Sequence, residues 1–217
     1  MTQIHEAQEV VTAGRALDEA DAAIIVVHGR GATARSIVPL AQALQLELAV
    51  LAPQAASLGT FPQWYPQRFT APKAQNEPYL TSALATLAQL VQTVQDAGIA
   101  KDRLILSGFS QGACLTSEFA AQNPARYGGL LIFSGGLIGT GPSVSAEMYE
   151  TSLEGTPVFI GCSDRDPHIP LERVRETTQI LTALGAAVTE QIYPNMAHTV
   201  NEDELVRARA VVAHLAQ

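Results

Sequence analysis

The feature that most constrains this chain is an alternation between two periodicities. Short runs rich in aliphatic and β-branched residues occur at Ala23 to Val27, Leu48 to Leu51, Arg103 to Leu106, Gly129 to Phe133, Pro157 to Ile160 and Val188 to Ile192. Each is short enough and apolar enough to be a strand buried on both faces. Between them, apolar residues recur at helical spacing in Ile37 to Leu44, Tyr79 to Val94, Ala113 to Ala121, Leu171 to Leu184 and Glu204 to Leu215. Parallel strands need a crossover connection, which is usually a helix. Strand and helix alternating from end to end therefore predict an α/β fold, a mainly parallel sheet with helices on both faces. Val10 to Thr12 is expected to add an antiparallel strand at one edge.

No internal repeat, charge run or Gly/Pro/Ser-rich linker divides the 217 residues, so one domain over 1–217 is expected. The net charge of -8 disfavours a nucleic-acid backbone as partner. The apolar run Ala22 to Val27 is far short of the ~20 residues of a membrane span, so no stable membrane insertion is expected. Met1 to Val10 does not read as a secretory signal. Cys114 and Cys162 form neither a disulfide framework nor a zinc pattern, and a cytoplasmic location is the default expectation.

Gly108-Phe109-Ser110-Gln111-Gly112 follows one predicted strand and opens a helix, the context required of a nucleophile elbow. A serine there occupies a sharp, strained turn, and a glycine on either side lets helix and strand approach closely. The hydroxyl projects from the sheet edge, and the amino end of the following helix faces any developing negative charge. Such a hydroxyl needs a base, and His198 emerges after the last strand at the same edge. The orienting acid is expected after the strand Pro157 to Ile160, where Asp164 and Asp166 compete. Either aspartate can instead simply shape the turn, and sequence order does not separate them.

An oxyanion site needs a second amide from the first strand-helix loop, His28-Gly29-Arg30-Gly31, so the backbone amides of Arg30 and Gln111 are the expected donors. His28 is expected to make a structural hydrogen bond, and the Arg30 side chain to reach solvent. The same loop, Gly29-Arg30-Gly31-Ala32-Thr33-Ala34, matches a dinucleotide-binding pattern. That reading lacks the acidic residue expected at the end of the next strand, because Leu51-Ala52-Pro53-Gln54 supplies none. The five histidines show no ligand spacing, so neither metal nor other cofactor is expected.

Taken together, these segments resemble the phospholipase/carboxylesterase family of α/β-hydrolases, which includes acyl-protein thioesterases, lysophospholipases and small carboxylesterases. The resemblance covers nearly the whole chain. It rests on His28-Gly29-Arg30-Gly31, Gln63-Trp64-Tyr65, Gly108 to Gly112, Asp164-Arg165-Asp166-Pro167-His168-Ile169-Pro170 and Tyr193 to His198. It implies an α/β-hydrolase fold, Ser110 as nucleophile, His198 as base, and Asp166 rather than Asp164 as the acid. It also implies that Trp64 lines the acyl site and that a homodimer forms. Ala113 and Ser163 stand where the family usually has glycine, and Arg30 is bulkier than the apolar residue of the thioesterases.

The expected chemistry is acyl transfer through an acyl-enzyme on small-molecule esters of uncharged alcohols, with acyl chains of short to medium length. Thioesters and lysophospholipids are alternatives within the same mechanism, and a non-catalytic ligand-binding member of the fold is the alternative outside it. Only residues 134–156 are available for a cap, so none is expected and the site should be open. Its apolar lining is expected from Phe61, Trp64, Tyr65, Leu137, Ile138 and Met196.

Overall fold

The computed structural model describes residues 4–123, 125–141, 144–149 and 152–216. A seven-stranded sheet runs through it in the order β1-β3-β2-β4-β5-β6-β7. The strands are β1 (Val10–Gly14), β2 (Ala23–Val27), β3 (Ala49–Pro53), β4 (Leu104–Phe109), β5 (Gly129–Phe133), β6 (Pro157–Ser163) and β7 (Ala187–Tyr193). All neighbours pair in parallel except β1, which runs antiparallel to β3 at the edge anticipated for Val10 to Thr12. The helices are α1 (Ala34–Gln42), α2 (Tyr79–Asp96), α3 (Gln111–Gln122), α4 (Leu171–Ala183) and α5 (Glu202–Val212).

Successive side chains of a strand point to opposite faces, so each buried strand feeds two cores. In β4, Leu104 and Leu106 pack with Leu87 of α2, Leu115 of α3 and Leu181 of α4. Ile105 points the other way, to Ile37 of α1 and Val212 of α5. This is why the strands read as continuous apolar runs and not as an apolar/polar alternation.

Parallel pairing puts the carboxyl ends of β2, β4, β6 and β7 along one edge. Val27 lies beside Gly108 and Ser163 beside Tyr193. The loops carrying Arg30, Ser110, Asp166 and His198 all leave from these ends. Between β5 and β6, the described residues include a short 3-10 turn, Ala146–Met148, and hold no separate cap domain. That connection is tied down by Glu118, a fully covered side chain of α3. Its carboxylate meets Lys73 Nζ at 2.5 Å and accepts from the Ile138 amide and the Tyr149 hydroxyl, each at 3.1 Å. A buried carboxylate that lost such partners would cost about 3–5 kcal/mol.

Candidate active site

Ser110 sits between β4 and α3 with φ 55 and ψ -120, in the half of the backbone map that side chains disfavour. What forces it there is packing. A Cβ on Gly108 would collide with Gly112, and a Cβ on Gly112 would run into the Val27 carbonyl of the neighbouring strand. The Ser110 amide donates to Phe133 O at 2.9 Å, and its carbonyl accepts the Cys114 amide at 3.0 Å, which starts α3. The hydroxyl is thus left free of the backbone, at a helix amino terminus whose first amides have no intrahelical acceptor. The Gln111 amide is one of these.

His198 Nε2 lies 2.9 Å from Ser110 Oγ, and His198 Nδ1 lies 2.6 Å from Asp166 Oδ2. The Asp166 side chain is fully covered, while the His198 ring keeps 18% of its surface open. The other Asp166 oxygen accepts the His168 and Ile169 amides at 2.8 and 3.0 Å. Two backbone donors thus fix the carboxylate before the histidine meets it. Phe109 packs against the His198 ring with centroids 4.8 Å apart and planes tilted by 40°, and His168 meets it edge-on at 4.9 Å. Asp164 instead accepts the Asn195 amide at 2.7 Å. It pins the turn from which His198 departs.

Beside Ser110 opens a groove of about 440 Å³. One wall is Tyr65 to Phe69 and the other is Phe109, His168, Ile169 and His198, with Arg30, Gln111 and Cys114 between them. The first wall is held almost entirely by its backbone. Gln111 accepts the Trp64 amide through Oε1 and donates to Tyr65 O through Nε2, both at 2.9 Å. Arg30 donates to the carbonyls of Pro66, Tyr65 and Gln67 at 2.9, 3.0 and 2.7 Å. Asn76 accepts the Gln67 amide at 2.8 Å, and His5 meets Trp64 O at 2.9 Å. The Arg30 guanidinium, expected to reach solvent, is therefore a staple. The two residues whose amides were expected to hold an oxyanion also carry the side chains that place the facing wall.

Of the residues expected to line the site, Tyr65 does so, while Trp64, Phe61, Ile138, Leu137 and Met196 stand outside the groove. Trp64 is buried, and its indole N–H donates to His28 O at 2.9 Å, which makes it a strut under the loop. Ile138 and Leu137 are fully covered, their amides bound to Glu118 and Thr177. The sulfur of Met196 accepts from Asn201 Nδ2 at 2.8 Å. Phe61 sits exposed near Gly31 at the tip of the 57–62 turn. In their place Phe69, Phe109, Ile169 and Cys114 supply the apolar lining. The sequence signal for Phe69 was its place in the long proline-rich loop Pro53 to Pro78, and for Phe109 its place in the elbow. For Ile169 and Cys114 there was none.

Burial sets the electrostatics. It pushes the Cys114 thiol up to about 12 and the Tyr65 phenol well above its usual range, so both stay protonated beside the groove. Burial also lowers the His28 pKa. His28 Nε2 accepts the Ala55 amide at 3.0 Å, so Nδ1 carries the proton it donates to Gly29 O at 2.8 Å. This is the structural role expected of it.

The dinucleotide alternative fails at α1. There the Ala34 amide is already taken by Gln54 Oε1 at 2.9 Å and the Ser36 amide by Thr33 Oγ1 at 3.2 Å. A pyrophosphate needs those amides free.

Residues 6–215 match the model of the phospholipase/carboxylesterase family. The chain belongs to that family, a family of hydrolases with an α/β fold. It superposes on the crystal structure of a phospholipase/carboxylesterase from Dyadobacter fermentans with a TM-score of 0.88 and 38% identity, over 100% of this chain and 99% of the other. It is 30% identical to acyl-protein thioesterase 1 of Debaryomyces hansenii over 74% of this chain and 70% of that protein. It is also 30% identical to acyl-protein thioesterase 1 of Gibberella zeae, over 56% of this chain, and there it spans only about half of the relative, 52%.

Proposed function

We propose that this chain is a serine carboxylesterase that hydrolyses short to medium acyl esters through an acyl-enzyme on Ser110. The observation that carries this reading is the continuous relay Asp166 Oδ2, His198 Nδ1, His198 Nε2, Ser110 Oγ, with spacings of 2.6 and 2.9 Å, ending at a serine on a strained turn. His198 takes the hydroxyl proton as Ser110 Oγ bonds to the ester carbonyl carbon. The same proton goes to the departing alkoxide as the ester C–O bond breaks. Water then gives a proton to His198 and its oxygen to the acyl carbon, the C–Oγ bond breaks, and Ser110 regains its proton. Asp166 keeps the ring in the tautomer this needs. The Gln111 and Arg30 amides are the proposed oxyanion donors, each worth roughly 100-fold or more in rate.

A groove of about 440 Å³ lies toward the small end of ligand sites, about 300–1,000 Å³, which supports short to medium acyl groups. The thioesterase names among the relatives support a second reading, the same chemistry on thioesters. A p-nitrophenyl series from acetate to palmitate, run beside an S-acyl peptide, separates the two. The buried free thiols Cys114 and Cys162 support a cytoplasmic setting. Ser110→Ala should abolish ester turnover and labelling by a fluorophosphonate while the melting temperature stays within a few degrees of the native value. Appreciable residual turnover in a folded variant would overturn the assignment.

A further inference from the structure

The groove carries charge opposite to that of the protein around it. The chain has 21 acidic residues against 13 Lys and Arg. Yet the described residues lining the groove include Arg30 and Arg68 and no carboxylate. Asp166, behind His198, is fully covered and committed to the histidine ring and two backbone amides. Arg30 directs its guanidinium at neutral carbonyls, which orient the cation without cancelling its charge.

Arg68 is an exposed residue of the stapled wall and lines the groove, and neither it nor Arg30 takes part in any ion pair among the described residues. An exposed arginine alone is an ordinary solvated side chain. Two uncompensated guanidinium groups at one concave site, in a protein of net charge -8, focus a positive potential where substrate must enter. Arginine's fork of donors matches a carboxylate in particular.

Resting on the reading of Ser110 as nucleophile, we propose that the groove selects esters bearing a carboxylate near the scissile bond, with the Arg68 guanidinium as its counter-ion. The test compares carboxylated and neutral esters in the native enzyme and in Arg68→Ala, Arg68→Lys and Arg68→Glu. One pair, 4-nitrophenyl hemisuccinate against 4-nitrophenyl butyrate, places the charge on the acyl side. The other, 4-acetoxybenzoate against phenyl acetate, places it on the alcohol side. Comparing the kcat/KM ratio of each pair between native and variant cancels the esters' intrinsic reactivities.

A partly exposed ion pair of about 1 kcal/mol corresponds to about fivefold. In at least one pair, Arg68→Ala should therefore lower the ratio about fivefold and Arg68→Glu should lower it further. Arg68→Lys should retain most of it, and about 0.5 M salt should erode the native preference. If both ratios stay within about twofold of native in Arg68→Ala and Arg68→Glu, with melting temperatures unchanged, the proposal is overturned. If the native protein turns over neither neutral ester and Ser110 takes no fluorophosphonate, the underlying esterase reading has failed and this one falls with it. Neutral-ester turnover therefore tells the two failures apart.

Discussion

The two sides of the groove are built on different principles. On the Asp166 and His198 side, carboxylates do the holding, and each contact is charge-assisted: Asp166 accepts two amides and a ring N–H, and Asp164 accepts one amide. On the Tyr65 to Phe69 side, donors and acceptors from four separate segments, His5, Arg30, Asn76 and Gln111, bind main-chain atoms. The first side is short and strong, with few substitutes for any one contact. The second is distributed, so no single contact carries it. Loss on the first side should therefore appear in turnover, and loss on the second in substrate binding.

The largest effect expected from that contrast is at Asp166. Asp166→Asn removes the charge and can present a donor to Nδ1, selecting the wrong tautomer. The same replacement of the triad aspartate in chymotrypsin-type proteases lowers kcat by about 10,000-fold, and a fall of that order is expected here. Asp164→Asn, two residues away, should cost less than about tenfold, because its oxygen still accepts the Asn195 amide. Both are read as kcat on one ester, with circular dichroism to confirm folding. If Asp164→Asn proves the more damaging, the roles of the two carboxylates are reversed.

Arg30→Ala tests the distributed side. On a neutral ester, KM should rise about tenfold while kcat changes by only a few fold, since Gln111, Asn76 and His5 still hold the wall. A 100-fold drop in kcat in a folded variant would show that the wall is not distributed and that the guanidinium serves the chemistry directly.

The smallest effect concerns stability. Glu204, in the first turn of α5, is buried with Oε1 against Gly161 and without a hydrogen-bond partner. Burial pushes its pKa up to about 7. The folded state therefore binds this proton more tightly than the unfolded chain. The resulting stability is complete below about pH 4.5 and is lost as pH rises through about 7. Glu204→Gln keeps the oxygen that accepts the Asn201 amide and removes the titration, so its melting temperature should exceed native by a few degrees at pH 8 and match it near pH 4.5. An equal difference at both pH values would mean that Glu204 does not ionise in this range.

The fold was legible because its cause is local. β2 and β5 fall at the residues expected from the aliphatic runs, Ala23 to Val27 and Gly129 to Phe133. Boundaries moved where pairing or capping, not hydrophobicity, decides. β4 continues through Ser107-Gly108-Phe109 because Ser107 and Gly108 pair with β5. Similarly, α1 begins at Ala34 because Thr33 and Ser36 close a capping box over a polar first turn. In the candidate site, the order Ser110, Asp166, His198 was visible as motif. The residues that build the groove were not. Trp64 between prolines reads the same whether it faces substrate or donates to His28 O beneath the loop. The pairing of Arg30 with three carbonyls some 35 residues away leaves no periodic trace.

The backbone of Ser110 sets two selective pressures against each other. A non-glycine residue at φ 55 and ψ -120 costs on the order of 1–3 kcal/mol, a sizeable fraction of a typical domain's total stability. The position would be relaxed by glycine, the one residue that has no hydroxyl to offer and no strain to bear. Selection on stability and selection on chemistry therefore pull this codon in opposite directions. A lineage released from the need to react would be expected to drift toward glycine here and become hardier as it fell silent.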